Sequence, residues 1–275
     1  MSKAKVIAVC NQKGGVAKTA TVTSLSVALA KEGKRVLVID GDPQGDVSKS
    51  LGWKRTDKIP YTLSDVMQKI VNGEMVQPGE GILKSSEGIE IMPSNIRLCA
   101  TEIGLVDSRN REAVLREYVN TVRGEYDYIL IDTPPSLNLM TINALSAADS
   151  VIIPVQANYL PTVGMTELLM TISRVQKTTN PKLKIEGILL TLADNRTSLP
   201  KEISEAIGRN YGSAIRLFEN QIPFAVSAAR APGAGLSIHA YDGKGTVSKA
   251  YKSFAKEVIS IAEKERAKLR TSIVR

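Results

Sequence analysis

Cysteine is scarce in this sequence of 275 residues: Cys10 and Cys99 are the only two. They give no disulfide framework and no metal-ligand spacing, and a reducing cytoplasm fits. Histidine occurs once, as His239, with no second histidine to share a metal. No apolar run approaches the roughly 18–20 residues that span a bilayer. The opening MSKAKVIAVCNQKGG has neither the apolar core nor the small-residue cleavage site of an export signal. No linker rich in Pro, Gly or Ser divides the chain, and no repeat recurs along it. Collagen-like, low-complexity and disordered classes are excluded, because 43% hydrophobic and 23% charged residues are ordinary globular usage. One domain over residues 1–275 is expected.

Charge is plentiful, and one sign leads. Lys plus Arg number 36 against 28 Asp plus Glu, a net +8. A basic soluble protein tends to meet polyanions: nucleotides, nucleic acid or an anionic membrane. Solubility alone would also account for it.

Short aliphatic runs alternate with helical stretches. Residues 6–10, 35–40, 128–132, 151–155 and 185–190 read as buried strands, and residues 89–92 as one more. Near-continuous aliphatic strands separated by helices predict an α/β fold: a mostly parallel twisted sheet with helices on both faces. Residues 18–31 read as a helix, with Val22, Leu25, Ala28 and Leu29 on one face and Gly33 at its end. Residues 62–65 have the form of a capping box. A last helix is expected over about 246–269, where Val247, Tyr251, Phe254, Val258 and Ile261 make one apolar stripe. The bland reading is a helix docked on the sheet with a solvated tail, EKERAKLR; a membrane or nucleic-acid helix is the other. Residues 233–245 read as a glycine-containing loop that holds His239, and Cys10 reads as core.

The strongest signal is Lys13-Gly14-Gly15-Val16-Ala17-Lys18-Thr19, between the first strand and the first helix. Glycines let the backbone turn its N–H groups around a phosphate chain. The helix after them points its positive end at the same anion. Lys18 supplies a charge for the β/γ-phosphates and the Thr19 hydroxyl a ligand for Mg2+. The strict pattern G-x-x-x-x-G-K-[ST] is not met, since Gln12 stands at its first glycine and Ala17 at its last. Ala17 needs a negative φ there, or some strain.

With the extra lysine, Lys13, the loop resembles the deviant Walker A version of the ParA/MinD branch of P-loop ATPases, above all the ParA family of DNA-partition ATPases. Asp40-Gly41-Asp42-Pro43-Gln44-Gly45 resembles that family's segment after the second strand. Residues 126–137, with Asp132, resemble its Walker B strand and switch, and residues 141–145 and 153–156 match the family's next segments along the chain. The resemblance spans nearly the whole chain. It implies ATP and Mg2+ as cofactors, with Gly14, Gly15, Val16, Ala17, Lys18, Thr19 and Ala20 around the phosphates. It implies a catalytic set of Lys13, Lys18 and Asp42. Lys13 would reach across an ATP-dependent homodimer to the partner's phosphates, and Asp42 would orient the attacking water. Thr19, Asp132 and Asp40 would form the metal shell. Slow ATP hydrolysis, stimulated by a ParB-like partner, and non-specific DNA binding are implied as well. The protein would then be cytoplasmic and nucleoid-associated, segregating or positioning plasmid or chromosomal DNA.

The pattern breaks in the last third. Residues 218–232 match the family's F-D-T-x-I-P-R-N-x-R-L-S-E-A-P, but Phe224 and Ser227 stand where arginines often sit. Arg216, Arg230, Lys244, Lys249 and Lys252 are then the candidates for a DNA-binding face. Asp194-Asn195-Arg196-Thr197 resembles a family turn, structural or close to the nucleotide. With the nucleotide-binding segment starting near residue 5, a DNA-reading domain ahead of it is not expected. Two alternatives stay open. A MinD-like positioning ATPase would bind membrane, but the apolar stripe stops before the chain end, so no stable membrane association is expected. An ATP-binding regulator with little hydrolysis is kept open by Ala17. A metal-cluster relative is set aside, since two scattered cysteines cannot ligate a shared cluster.

Overall fold

The aliphatic runs assemble into a single seven-stranded sheet. The computed structural model describes residues 4–157, 163–194 and 196–273. In chain order the strands are β1 (Lys5–Val9), β2 (Val36–Asp40), β3 (Leu83–Lys84), β4 (Glu90–Met92), β5 (Tyr128–Asp132), β6 (Ser150–Gln156) and β7 (Lys184–Thr191). Across the sheet they stand β3-β4-β2-β5-β1-β6-β7. Only β3, at the edge beside β4, runs antiparallel to its neighbour. Every residue of β1, β2 and β5 is buried, as strands covered on both faces must be.

Register positions the site. Val9 pairs with Asp132 across β1 and β5, and Asp132 pairs with Asp40 across β5 and β2. Three strands therefore end level, and two carboxylates sit side by side at their C-terminal edge. The isolated bridges Ile188–Leu217 and Ala193–Pro223 lay the next segment of chain along the outside of β7.

The helices are α1 (Lys18–Lys31), α2 (Asp46–Ser50), α3 (Leu63–Val71), α4 (Arg97–Leu105), α5 (Val114–Val122), α6 (Leu139–Ala147), α7 (Val163–Lys177), α8 (Leu199–Tyr211), α9 (Val226–Ala234), α10 (Ile238–Tyr241) and α11 (Thr246–Ile273). Those from α3 to α8 close one core over the sheet; α1, α2 and α9 to α11 close the other. The expected capping box is present: Thr62 and Asp65 close the start of α3. The stripe of α11 buries Val247, Tyr251, Phe254 and Val258, with Phe254 edge-on to Phe218 at 4.9 Å. Among the described residues no helix is long and apolar enough to cross a membrane.

Two expectations need correction. The last helix continues to Ile273 rather than ending near Leu269. Its tail is rich in Glu, Lys, Arg and Ala, good helix formers that need no apolar stripe. Glu265 also ties it to the sheet, 2.9 Å from Lys5 Nζ and 3.2 Å from Lys184 Nζ. Residues 233–245 are not a loop but the end of α9, the whole of α10 and the turn into α11. Gly235, at φ 72, is the left-handed residue that stops α9, and the Ser237 side chain caps α10. His239 is therefore buried, Nδ1 2.8 Å from Ser248 Oγ and Nε2 2.9 Å from the Ser24 carbonyl oxygen. The short edge strand β3 was not expected at all.

Candidate functional site

The chain leaves β1 at Val9 and turns before α1 begins at Lys18. Asn11 anchors the turn. Its Nδ2 donates to the Pro154 carbonyl oxygen at 2.7 Å, and its Oδ1 accepts the Lys13 N–H at 3.0 Å. Gly15 (φ 73) and Ala17 (φ 64) are both left-handed. Ala17 thus takes the strained option, at a cost of roughly 1–2 kcal/mol. No side chain caps α1. The N–H groups of its first turn have no helical acceptor and are left for an anion.

Two lysines serve this turn. Lys18 Nζ donates to the Lys13 carbonyl oxygen at 3.0 Å. Burial lowers its pKa, against the opposing pull of the Asp132 charge. Lys13 Nζ donates to Gln156 Oε1 at 3.2 Å, while Gln156 Nε2 donates to the Gly15 carbonyl oxygen at 3.1 Å. One amide at the end of β6 therefore braces the turn at two points.

The carboxylates stand beside it. Thr19 Oγ1 donates to Asp132 Oδ2 at 2.7 Å. Asp40 Oδ2 accepts from the Ser48 N–H at 3.1 Å and the Ser48 hydroxyl at 2.8 Å. Oδ1 of Asp40 and Oδ1 of Asp132 are buried and meet no donor. Asp42 Oδ1 accepts the Gln44 N–H at 2.9 Å. Burial pushes Asp40 up to about 7 and raises Asp42. Burial, and then the Asp40 charge, lift Asp132 well above the usual carboxylate range. Such a cluster is relieved by a cation, and the two orphaned oxygens beside the Thr19 hydroxyl fit one. Among the described residues no group of three or more His, Cys, Asp or Glu could hold a metal ion. Waters and a phosphate would have to complete the shell, the habit of Mg2+.

Glycines allow the strand ends to approach. A Cβ on Gly41 would lie 2.5 Å from the Asp132 carbonyl oxygen. One on Gly45, at φ 66, would lie 2.8 Å from that of Ser94. Residues 14–20, Asp40, Asp42 and Asp132 are thus gathered at one edge of the sheet. Asn11, Ser48 and Gln156 were not among the expected site residues. Gln156 lay inside a quoted motif, but nothing in the sequence signalled its two bonds.

The basic candidates lie elsewhere. Arg230 is exposed on α9, Lys244 in the turn before α11, and Lys249 on its first turn. Lys252 is half-buried, with Nζ 3.2 Å from the Gly243 carbonyl oxygen. Arg216 lines a groove of about 840 Å3 beside β7, where Lys184, Lys256, Lys264 and Lys268 face Glu186, Glu219, Glu257 and Glu265. Phe224 is exposed. Asp194 pairs with Arg196 at 2.8 Å, and Asn195 lies outside the described residues. Cys10 is buried, which pushes its thiol up to about 12, in keeping with a core role.

A family model described as an AAA domain matches residues 4–185. The chromosome partitioning protein ParA of Caulobacter vibrioides is 39% identical over 266 residues, covering 96% of this chain and 97% of its own. The sporulation initiation inhibitor protein Soj of Bacillus subtilis is 40% identical over 256 residues, covering 92% and 98%. The crystal structure of cobyrinic acid a,c-diamide synthase from Mycobacterium smegmatis, with bound ATP analog and magnesium, aligns with a TM-score of 0.82 at 36% identity. It covers 93% of this chain and 94% of that one. By its strand order, its phosphate-type turn and these relatives, the chain belongs to the ParA family of P-loop ATPases.

Proposed function

We propose that residues 1–275 act as one Mg2+–ATP-dependent partition ATPase whose ATP-bound dimer binds DNA without sequence preference. One observation carries this reading: an uncapped helix N-terminus meets two buried carboxylates, Asp40 and Asp132, each with an orphaned oxygen. The first suits the phosphates of ATP and the second suits Mg2+. When bound, the ion would supply positive charge against the phosphates.

The chain's own residues do the rest. Backbone N–H groups from Gly14 to Ala20 cradle the phosphates, and Lys18 adds a fixed positive charge. Thr19 and Asp132 would hold the ion, with Asp40 on the adjacent strand. Asp42 holds the attacking water in line, its carboxyl fixed by the Gln44 N–H. Phosphoryl transfer asks for such positioning and charge neutralisation more than for a strong base. Lys13 leaves Gln156 and reaches the partner subunit's phosphates, so the dimer tracks the state of the nucleotide.

Turnover is slow alone and quickens when a DNA-bound, ParB-like protein binds. The net charge of +8 and the exposed Arg216, Arg230, Lys244 and Lys249, with half-buried Lys252, support a DNA face. The stripe of α11 is spent on the core, which favours DNA over membrane as the target. The name of the Caulobacter relative, a chromosome partitioning protein, agrees with a role in segregating DNA, on the nucleoid in the cytoplasm. An amide-forming activity, as named for the Mycobacterium smegmatis protein, has less support. Cys10 is buried, and exposed Cys99 has no histidine beside it, since His239 is enclosed by Ser24 and Ser248 on the other face of the sheet.

The test compares DNA binding by the full chain with ATP, with ADP and without nucleotide, at two salt concentrations. Binding is expected with ATP alone and should fall steeply with salt. Binding that ignores the nucleotide, or no binding, overturns the proposal.

A further inference from the structure

A helix that is apolar all round normally lies in an interior. Helix α4 is apolar on both faces, yet one face is bare. Its inner face buries Leu98, Thr101 and Leu105. Its outer face carries Ile96, Cys99, Ala100, Ile103 and Val106, within about 120° of one another at roughly 100° per residue. Ile96 is 63% exposed, Ile103 74% and Val106 52%, and Cys99 and Ala100 are exposed as well.

The same helix is tied by one carboxylate to the segment that follows Asp132. Glu102 Oε2 accepts from Asn138 Nδ2 at 3.0 Å, and its Oε1 accepts the Met140 N–H at 3.4 Å. Asn138 caps α6, and the loop before it leaves β5 directly after Asp132. Thr133 in that loop donates to the Val9 carbonyl oxygen at 2.9 Å. Pro135 Cβ lies 3.9 Å from where a Cβ on Gly14 would stand. A push on α4 is therefore two contacts away from the phosphate-binding turn.

We propose that the outer face of α4 docks an amphipathic helix of the stimulating partner, and that Glu102 relays the contact to residues 133–138. This inference rests on the ATPase reading. The occupant is fixed by size, charge and length. Three side chains so exposed offer on the order of 300 Å2, far below the ~800 Å2 per partner of a stable symmetric interface. A second copy of this chain therefore cannot be held by this face alone. The rim has no cationic excess to draw an anionic bilayer: Arg97 is paired with Asp65 at 3.0 Å, and Asp107 and Glu112 offset Arg109 and Arg111, the latter bonded to the Val106 carbonyl oxygen at 2.7 Å. From Ile96 to Val106 the stripe runs about 15 Å, three helical turns, room enough for anchors at i, i+4 and i+7, which span about 10 Å.

Cys99 supplies the readout. It is exposed on the stripe, whereas Cys10 is buried with its thiol pushed up to about 12. The experiment measures N-ethylmaleimide alkylation of Cys99 in the full chain with ATP, with and without a ParB-like protein of the same genome, alongside turnover. The partner should slow alkylation about tenfold and raise turnover. Ile103→Asp should abolish both effects while keeping basal turnover and melting temperature. Glu102→Ala should keep the protection but lose the stimulation, a split that a merely structural role would not produce. The proposal is overturned by unprotected Cys99 at saturating partner, by a partner that does not stimulate, or by normal stimulation of Ile103→Asp. Protection by vesicles of phosphatidylcholine and phosphatidylserine in place of the partner overturns it too. Failure of the parent chain to bind ATP is a separate result, and it would remove the ATPase reading along with this one.

Discussion

Ala17 is the residue where local strain and function meet. It holds φ 64 without the freedom of a glycine. A left-handed alanine costs roughly 1–2 kcal/mol, and glycine gives back about 0.5–1 kcal/mol through the unfolded chain. Ala17→Gly should therefore stabilise the protein by about 0.5–1 kcal/mol. A higher urea midpoint with an unchanged slope is the expected sign, and ATP binding should persist. A lower midpoint would show that the alanine methyl makes a contact worth more than its strain. Gly15, Lys18 and Thr19 were legible because a phosphate turn is a local pattern. Ser48 was not: its bonds to Asp40 form only once α2 folds back on the end of β2. Asn11 and Gln156 were hidden for a related reason, since each bonds across residues about 140 apart in sequence.

At the scale of elements, α10 and α11 enclose the one histidine. Burial lowers the pKa of His239 below its ordinary 6.5. The folded protein keeps the ring neutral, whereas the unfolded chain takes up a proton below about pH 6.5. The unfolded state then binds more protons, so this contribution is present above pH 6.5 and fades as the pH falls. Asp40, raised to about 7, works the other way: its buried charge costs more as the pH rises toward neutrality. Thermal melts of His239→Gln against the parent isolate the ring. The variant should be less stable at pH 7 and should lose less on going to pH 5. Parallel curves would refute the assignment. The strands were legible because aliphatic runs buried on both faces leave a signal that few other structures leave. The end of α9 and helix α10 were not, because Gly233 and Gly235 read as loop residues when they in fact sit at the end of α9. Edge strand β3 has two residues, too few for any periodicity to show.

At the scale of the whole molecule, the family resemblance was legible because its motifs sit on the ends of β1, β2 and β5, which the sheet brings level. Which basic residues meet DNA was not, because charge says nothing of where a helix places it. Lys13→Ala should bind ATP as a monomer and show no ATP-induced doubling of mass in light scattering. A dimer unchanged by the substitution would remove Lys13 from the interface. The borders of the sheet carry a further consequence. On one side β3 is two residues long, with the Lys84 side chain 85% exposed. On the other, bridges at Leu217 and Pro223 shield β7. Neither border is a bare ladder waiting for another strand. Copies of the folded molecule therefore find no open sheet edge on which to zip together strand by strand.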